Sequence, residues 1–101
     1  MLSGLKGSGA TIIVDGGAQR ALLTQKSSLL PAGILEVRGD FKRGDIISVL
    51  GSNQDRIAYG IVNYDAPDVD RIIGVQSDRV SELLGYTFGD EVIHRNNMVT
   101  L

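Results

Sequence analysis

Apolar and polar positions change period several times along this chain, and each change marks an element. Ala10-Thr11-Ile12-Ile13-Val14 is a β-branched run and predicts a first strand. Ala18, Ala21 and Leu22 then fall on one helical face, with polar Gln25 beyond them, which predicts a helix over 15–25 with Asp15 as its cap. The small alanines suit close packing against a sheet. Leu29-Leu30 is a short apolar pair stopped by Pro31, which fixes its own φ and biases Leu30 towards extended backbone. Ile34-Leu35-Glu36-Val37-Arg38 reads as a strand ended by Gly39-Asp40, and Arg43-Gly44-Asp45 turns the chain into Ile46-Ile47-Ser48-Val49-Leu50, another strand. Gly51 to Asp55 is a hairpin loop, and Arg56 to Tyr64 is the return strand. Gly60 within it predicts a bulge or a close backbone approach. Tyr59 and Tyr64 take opposite faces of a regular strand and the same face of a bulged one. Aromatics on a sheet can stack nucleic-acid bases, but with so few aromatics in the chain, core or barrel-end packing is the expected role of both.

The helical period returns after Asp65-Ala66-Pro67, with Val69, Ile72 and Ile73 as the apolar face and Gly74 as the stop. A second short helix follows, with Ser77 as cap, Val80, Leu83 and Leu84 as its apolar face, and Gly85 as terminator. Glu91 to Arg95 is the expected closing strand, Asn96-Asn97 a turn, and Met98 to Leu101 the end of the sheet. Many short strands with a few short helices predict a mainly β fold: a small, bent, mixed β pseudo-barrel, with the 15–25 helix at one end and two short helices on its flank.

The chain has 101 residues, enough for one domain, and 43% of them are hydrophobic but only 5% aromatic, so aliphatic side chains must fill the core. Residues 1–9, rich in Gly and Ser, read as a flexible leader or linker, leaving 10–101 as the domain. No signal-peptide pattern and no apolar run of membrane-spanning length is present, and without cysteine there is neither a disulfide framework nor thiolate chemistry. A soluble, cytoplasmic protein is expected. Net charge is −2, unevenly spread: residues 1–43 hold six basic and three acidic side chains, residues 44–101 four and nine. A sequence pI near 5.2 argues against strong non-specific binding to nucleic acid, yet leaves room for a local basic face.

Candidate chemistry is sparse. Lys6-Gly7-Ser8-Gly9 lacks the spacing of a phosphate-binding loop, and no strand precedes it. Gly16-Gly17 could offer N–H groups to an anion, but a tight strand-to-helix turn accounts for the pair more simply. Asp65, Asp68 and Asp70 lack the Gly turn and distal Glu of a calcium loop. His94 is the only histidine, with no cysteine to share a zinc ion and no Ser-His-Asp context. The expectation is no catalytic, cofactor-binding or metal-binding residue in this chain.

Ser27-Ser28-Leu29-Leu30-Pro31-Ala32-Gly33-Ile34, followed by Gly39-Asp40-Phe41-Lys42-Arg43-Gly44-Asp45-Ile46-Ile47-Ser48-Val49, resembles a PUA domain, most closely the one at the C-terminus of bacterial glutamate 5-kinases. V-D-G-G-A-Q-R-A-L-L before it, and I-A-Y-G-I-V-N-Y, L-L-G-Y and V-I-H-R-N-N-M-V after it, fall in the same order, so the resemblance runs from about residue 10 to 101. Asn96-Asn97 depart from the pattern, in which acidic residues follow His-Arg. The resemblance implies a PUA-like pseudo-barrel and a non-catalytic accessory domain, regulatory or RNA-binding. Its kinase domain in cis, absent here, would use ATP and Mg²⁺ for the first step of proline biosynthesis. The motifs and the linker-like start favour the accessory domain, while the basic N-terminal half keeps open its alternative, a free-standing module that binds structured RNA. In that case Arg20, Lys26, Lys42 and Arg43 are the implied phosphate contacts, with His94 and Arg95 near the rim.

Overall fold

A computed structural model describes residues 10–86, 89 and 91–100, with the backbone alone for Ser77. The predicted leader 1–9 lies outside these residues, as do Thr87-Phe88, Asp90 and Leu101. The strands are β1 (Thr11–Val14), β2 (Ile34–Arg38), β3 (Ile46–Leu50), β4 (Arg56–Ile61) and β5 (Met98–Thr100), in one mixed sheet of order β2-β1-β3-β4-β5. β1 runs antiparallel to β2 and parallel to β3; the β3–β4 and β4–β5 pairs are antiparallel. The register shifts between Ile13 and Val14 and between Val49 and Leu50, and such irregularities bend a small sheet.

Alternation sorts the strands into two faces. Ile12, Val14, Ile47, Val49 and Ala58 point into one core, to which helices α2 (Ala66–Arg71) and α3 (Val80–Leu84) add Val69 and Val80, and the residue just past α2 adds Ile72. Helix α1 (Gly16–Thr24) starts as predicted: the Asp15 carboxylate accepts the Ala18 N–H at 2.7 Å. Its alanine face meets a 3-10 turn (Pro31–Gly33) rather than the sheet, because a Cβ on Gly33 would lie 2.6 Å from the Ala18 methyl. Gly60 is the expected close approach: a Cβ there would stand 2.6 Å from Ile93 Cγ2.

Four expectations need correction. The return strand ends at Ile61: Val62 still bonds to the turn before β3, its N–H donating to Asp45 O and its carbonyl accepting the Gly44 N–H, but the Asn63 N–H leaves the pair for Val92 O. Parity is nevertheless kept, so Tyr64 is buried, while Tyr59 faces outwards under the Arg56 guanidinium, 5.4 Å from its ring centre, instead of packing in the core. Glu91 to Arg95 is not a strand. Ile93 makes a lone bridge with Leu29, after which Arg95–Asn97 form a 3-10 turn leading into β5. The cap position of α3 falls on Arg79 instead of Ser77, whose backbone opens a 3-10 turn (Ser77–Arg79), and Leu83 is left 44% exposed.

The Leu29 bridge carries three bonds, from Leu29 N–H to Ile93 O at 2.9 Å, from Val92 N–H to Leu29 O at 2.7 Å and a longer one from Ile93 N–H to Leu29 O at 3.4 Å. They tie the segment after α1 to the segment before β5 and give the open-edged sheet its pseudo-barrel character.

Candidate nucleic-acid interface

The six nominated residues fall in three places. Lys26 follows α1 in left-handed backbone, φ 53°, where the Ser27 N–H folds back to Ala21 O. That reversal sets Lys26 beside Arg95, and with Leu22, Ser27, Met98 and Thr100 they line a groove of about 130 Å³. Arg95 is fixed through its backbone, its N–H donating to Ser28 Oγ at 2.9 Å across 67 residues of sequence. His94 Nδ1 accepts the Asn96 N–H at 3.0 Å, which leaves the ring proton on Nε2. Its half-buried ring is spent on capping the turn that presents Arg95. Among the described residues neither Lys26 nor Arg95 is in an ion pair; the two pairs there are Arg38–Glu36 and Arg79–Glu82.

Lys42 and Arg43 sit elsewhere, on the β2–β3 turn. Carboxylates hold their backbones: Asp45 Oδ2 accepts the Lys42 N–H at 2.9 Å and Asp65 Oδ1 the Arg43 N–H at 2.8 Å. One acid in the turn, Asp45, and one from the start of α2, Asp65, offset its two cations, so it offers a phosphate much less than its sequence implies. Arg20 is exposed on α1 and does not line the groove. The structure therefore brings together Lys26 and Arg95, with His94 adjoining, and leaves Arg20 and the Lys42-Arg43 pair apart from them.

A second concavity, about 350 Å³, adjoins the groove through Leu22 and Ser27 and lies between α1 and residues 27–33, beside the Ala18–Gly33 contact; Ala18, Ala21, Leu29 and Leu30 make much of its wall. Sequence reasoning missed Ser28 as the anchor of Arg95 and Thr100 as a groove wall. No spacing pattern could have shown either, because both meetings depend on the Leu29–Ile93 bridge. Among the described residues no cluster of three or more His, Cys, Asp or Glu side chains could hold a metal ion, and no helix is long and apolar enough to cross a membrane.

Comparison with known proteins fits this architecture. The glutamate 5-kinase of Pelobacter propionicus is 44% identical over 90 residues, covering 89% of this chain and 24% of the relative. That of Dehalococcoides mccartyi is 45% identical over 101 residues, covering 100% and 27%. The chain thus spans about a quarter of the length of the curated relatives it matches. Among solved structures, a PUA domain from Aeropyrum pernix K1 superposes with a TM-score of 0.60 at 23% identity, over 85% of this chain and 41% of that one. A chain of an H/ACA ribonucleoprotein bound to a substrate RNA superposes at 0.54 and 19%, over 84% and 22%. These two likenesses concern the fold. The PUA domain model matches residues 10–84, and with that match this chain belongs to the PUA domain family.

Proposed function

We propose that this chain is the C-terminal accessory domain of a glutamate 5-kinase. Residues 10–101 form the domain, and residues 1–9 link it to a cytoplasmic kinase domain that phosphorylates glutamate with ATP and Mg²⁺. The observation that carries this reading is the identity of 44% and 45% to kinases four times as long. Nothing in the groove resembles a phosphoryl-transfer site: it offers two cations, a serine and a threonine, and no carboxylate pair to hold Mg²⁺. Catalysis belongs to the missing domain. The test mixes this chain alone with ATP, Mg²⁺ and glutamate, and then the longer protein encoded by the reading frame that contains it. Glutamyl phosphate should form only with the longer protein. Turnover that tracks the short chain through purification overturns the reading.

A second reading, a module for structured RNA, is favoured by one feature: Lys26 and Arg95 share a groove without acidic partners among the described residues. The fold also occurs in a ribonucleoprotein bound to substrate RNA. Each phosphate neutralised adds about 0.9 to the log–log salt slope of duplex binding. Hairpin-RNA titration at two salt concentrations should then show a slope about 2 units smaller in Lys26→Ala/Arg95→Ala and little change in Lys42→Ala/Arg43→Ala. Equal slopes in both double variants remove the groove as the site.

A further inference from the structure

The outward face of the sheet is open over β3, β4 and β5. Ile46 pairs with Ile61 across β3 and β4, and Tyr59 with Val99 across β4 and β5, and all four point away from the core. Ile46 and Val99 are each 66% exposed. Together the four side chains expose on the order of 400 Å², as much as the largest patch on an ordinary monomer, and such patches are often functional. On β1 the same face is already covered, since Ile13 is buried. The apolar opening over β3–β5 therefore stops at β1.

Two observations bear on what covers it. The first is size. A stable interface between free partners needs about 800 Å² on each side, roughly twice what this face offers, so it suits a partner held close by covalent attachment. Tethering supplies the effective concentration that a small contact lacks. The second is where the chain enters. Thr11 pairs with Ser48, Ser48 with Tyr59, and Tyr59 with Val99, so the start of β1 lies in the same cross-strand row as the patch. At about 4.8 Å per strand, Thr11 is about 10 Å from Tyr59. Whatever domain precedes residue 10 arrives beside this face, and nine residues reach at most about 30 Å.

We infer that the outward face of β3–β5 is the surface on which this domain docks against the domain that precedes it in the same polypeptide, through a complementary apolar patch. The inference rests on the proposed place of the chain in a longer kinase. A second copy of the chain is the competing occupant, and the area argues against it.

The chain contains no cysteine, so a single introduced thiol on it reports its own exposure by peptide-resolved mass spectrometry. Ile46→Cys, Val99→Cys and, as a control on α3, Leu83→Cys would be labelled with a maleimide in this chain and in the longer protein. Docking predicts labelling at least tenfold slower at positions 46 and 99 in the longer protein, with position 83 unchanged. Equal rates at 46 and 99 in both proteins overturn the docking face. Slow labelling at 46 and 99 already in the short chain, relieved by dilution, overturns it in favour of self-association. Glutamate kinase activity of the longer protein is read in parallel. Inactivity would count against the functional reading alone, whereas equal labelling in an active kinase counts against the docking face alone.

Discussion

Ile46 and Ile47 are neighbours in β3 with the same side chain, yet Ile46 is 66% exposed and Ile47 1%. Their strand has two customers. Its inward positions meet Val14, Ala58 and the helices and hold the domain together. Its outward positions, continued by Tyr59, Ile61 and Val99, contribute little to stability and leave a surface free for contact. In a three-strand patch of this kind, residues that look equivalent in hydropathy divide between folding and association according to parity alone.

The sharpest test of that division is Ile47→Ala against Ile46→Ala. Loss of the buried side chain should cost about 2–5 kcal/mol, while the exposed one should change stability by less than about 0.5 kcal/mol. Urea denaturation of both variants measures the difference, and similar losses would mean that the outward face is also structural. Next in size is Gly60→Ala, on the inward side of β4. Its Cβ would stand 2.6 Å from Ile93 Cγ2 and 3.3 Å from Asn97 O, and the second of these is backbone. Overpacking of that kind costs about 1–3 kcal/mol. Gly51→Ala is the control, because the added methyl meets only the Gln19 carboxamide, the movable end of a flexible side chain. It should cost less.

Much of this was legible in the sequence. Strands β2 and β3 fall on the predicted residues, and Asp15 caps α1, because β-branched runs between Gly turns and an Asp before a helical face are local signals. The end of β4 and the supposed strand at Glu91–Arg95 were not legible. Both depend on which distant backbone accepts each N–H: Asn63 bonds to Val92 instead of a strand partner, and Val92 to Leu29. The functional residues divide the same way. Lys26 and Arg95 stand out as cations, but their shared groove and the Asp65 carboxylate at Arg43 follow from tertiary contacts, whereas the Asp45 carboxylate at Lys42 lies only three residues on in the same turn.

The three tyrosines sharpen the comparison at smaller scale. The Tyr64 hydroxyl is inside and donates to Gly89 O at 2.7 Å, whereas the exposed Tyr59 hydroxyl accepts from Arg56 at 3.0 Å. Tyr64→Phe should therefore cost about 1 kcal/mol, and Tyr59→Phe a few tenths, in the same denaturation assay. Equal costs would place the Arg56–Tyr59 contact among the supports of the fold. The smallest effect belongs to Tyr86, whose hydroxyl donates to the Asp68 carboxylate; that bond first, then desolvation and the charges of Asp68 and Asp65, raises its pKa above the ordinary tyrosine value. A raised folded-state pKa means that its small stabilising contribution is complete below the unfolded value and lost as alkaline pH passes through the folded one. Ultraviolet titration should show one tyrosine ionising earlier in Asp68→Asn than in the wild type. An unchanged curve would remove the bond to Asp68 as the cause.

The bridge between Leu29 and the Val92–Ile93 segment also sets the order of events on the ribosome. Synthesis delivers β1 to β4 before Ile93, so Leu29 and the bare backbone of Gly60 wait for a segment made later. Pairings so distant in sequence are slow to form, because loop entropy is lost before any contact offsets it. Until then the chain holds four of its five strands and one side is unsealed, and a nonsense codon shortly before Val92 would leave it without both the bridge and β5. Such a product would keep most of the apolar core residues with nothing to shut them in, a ready substrate for proteolytic quality control.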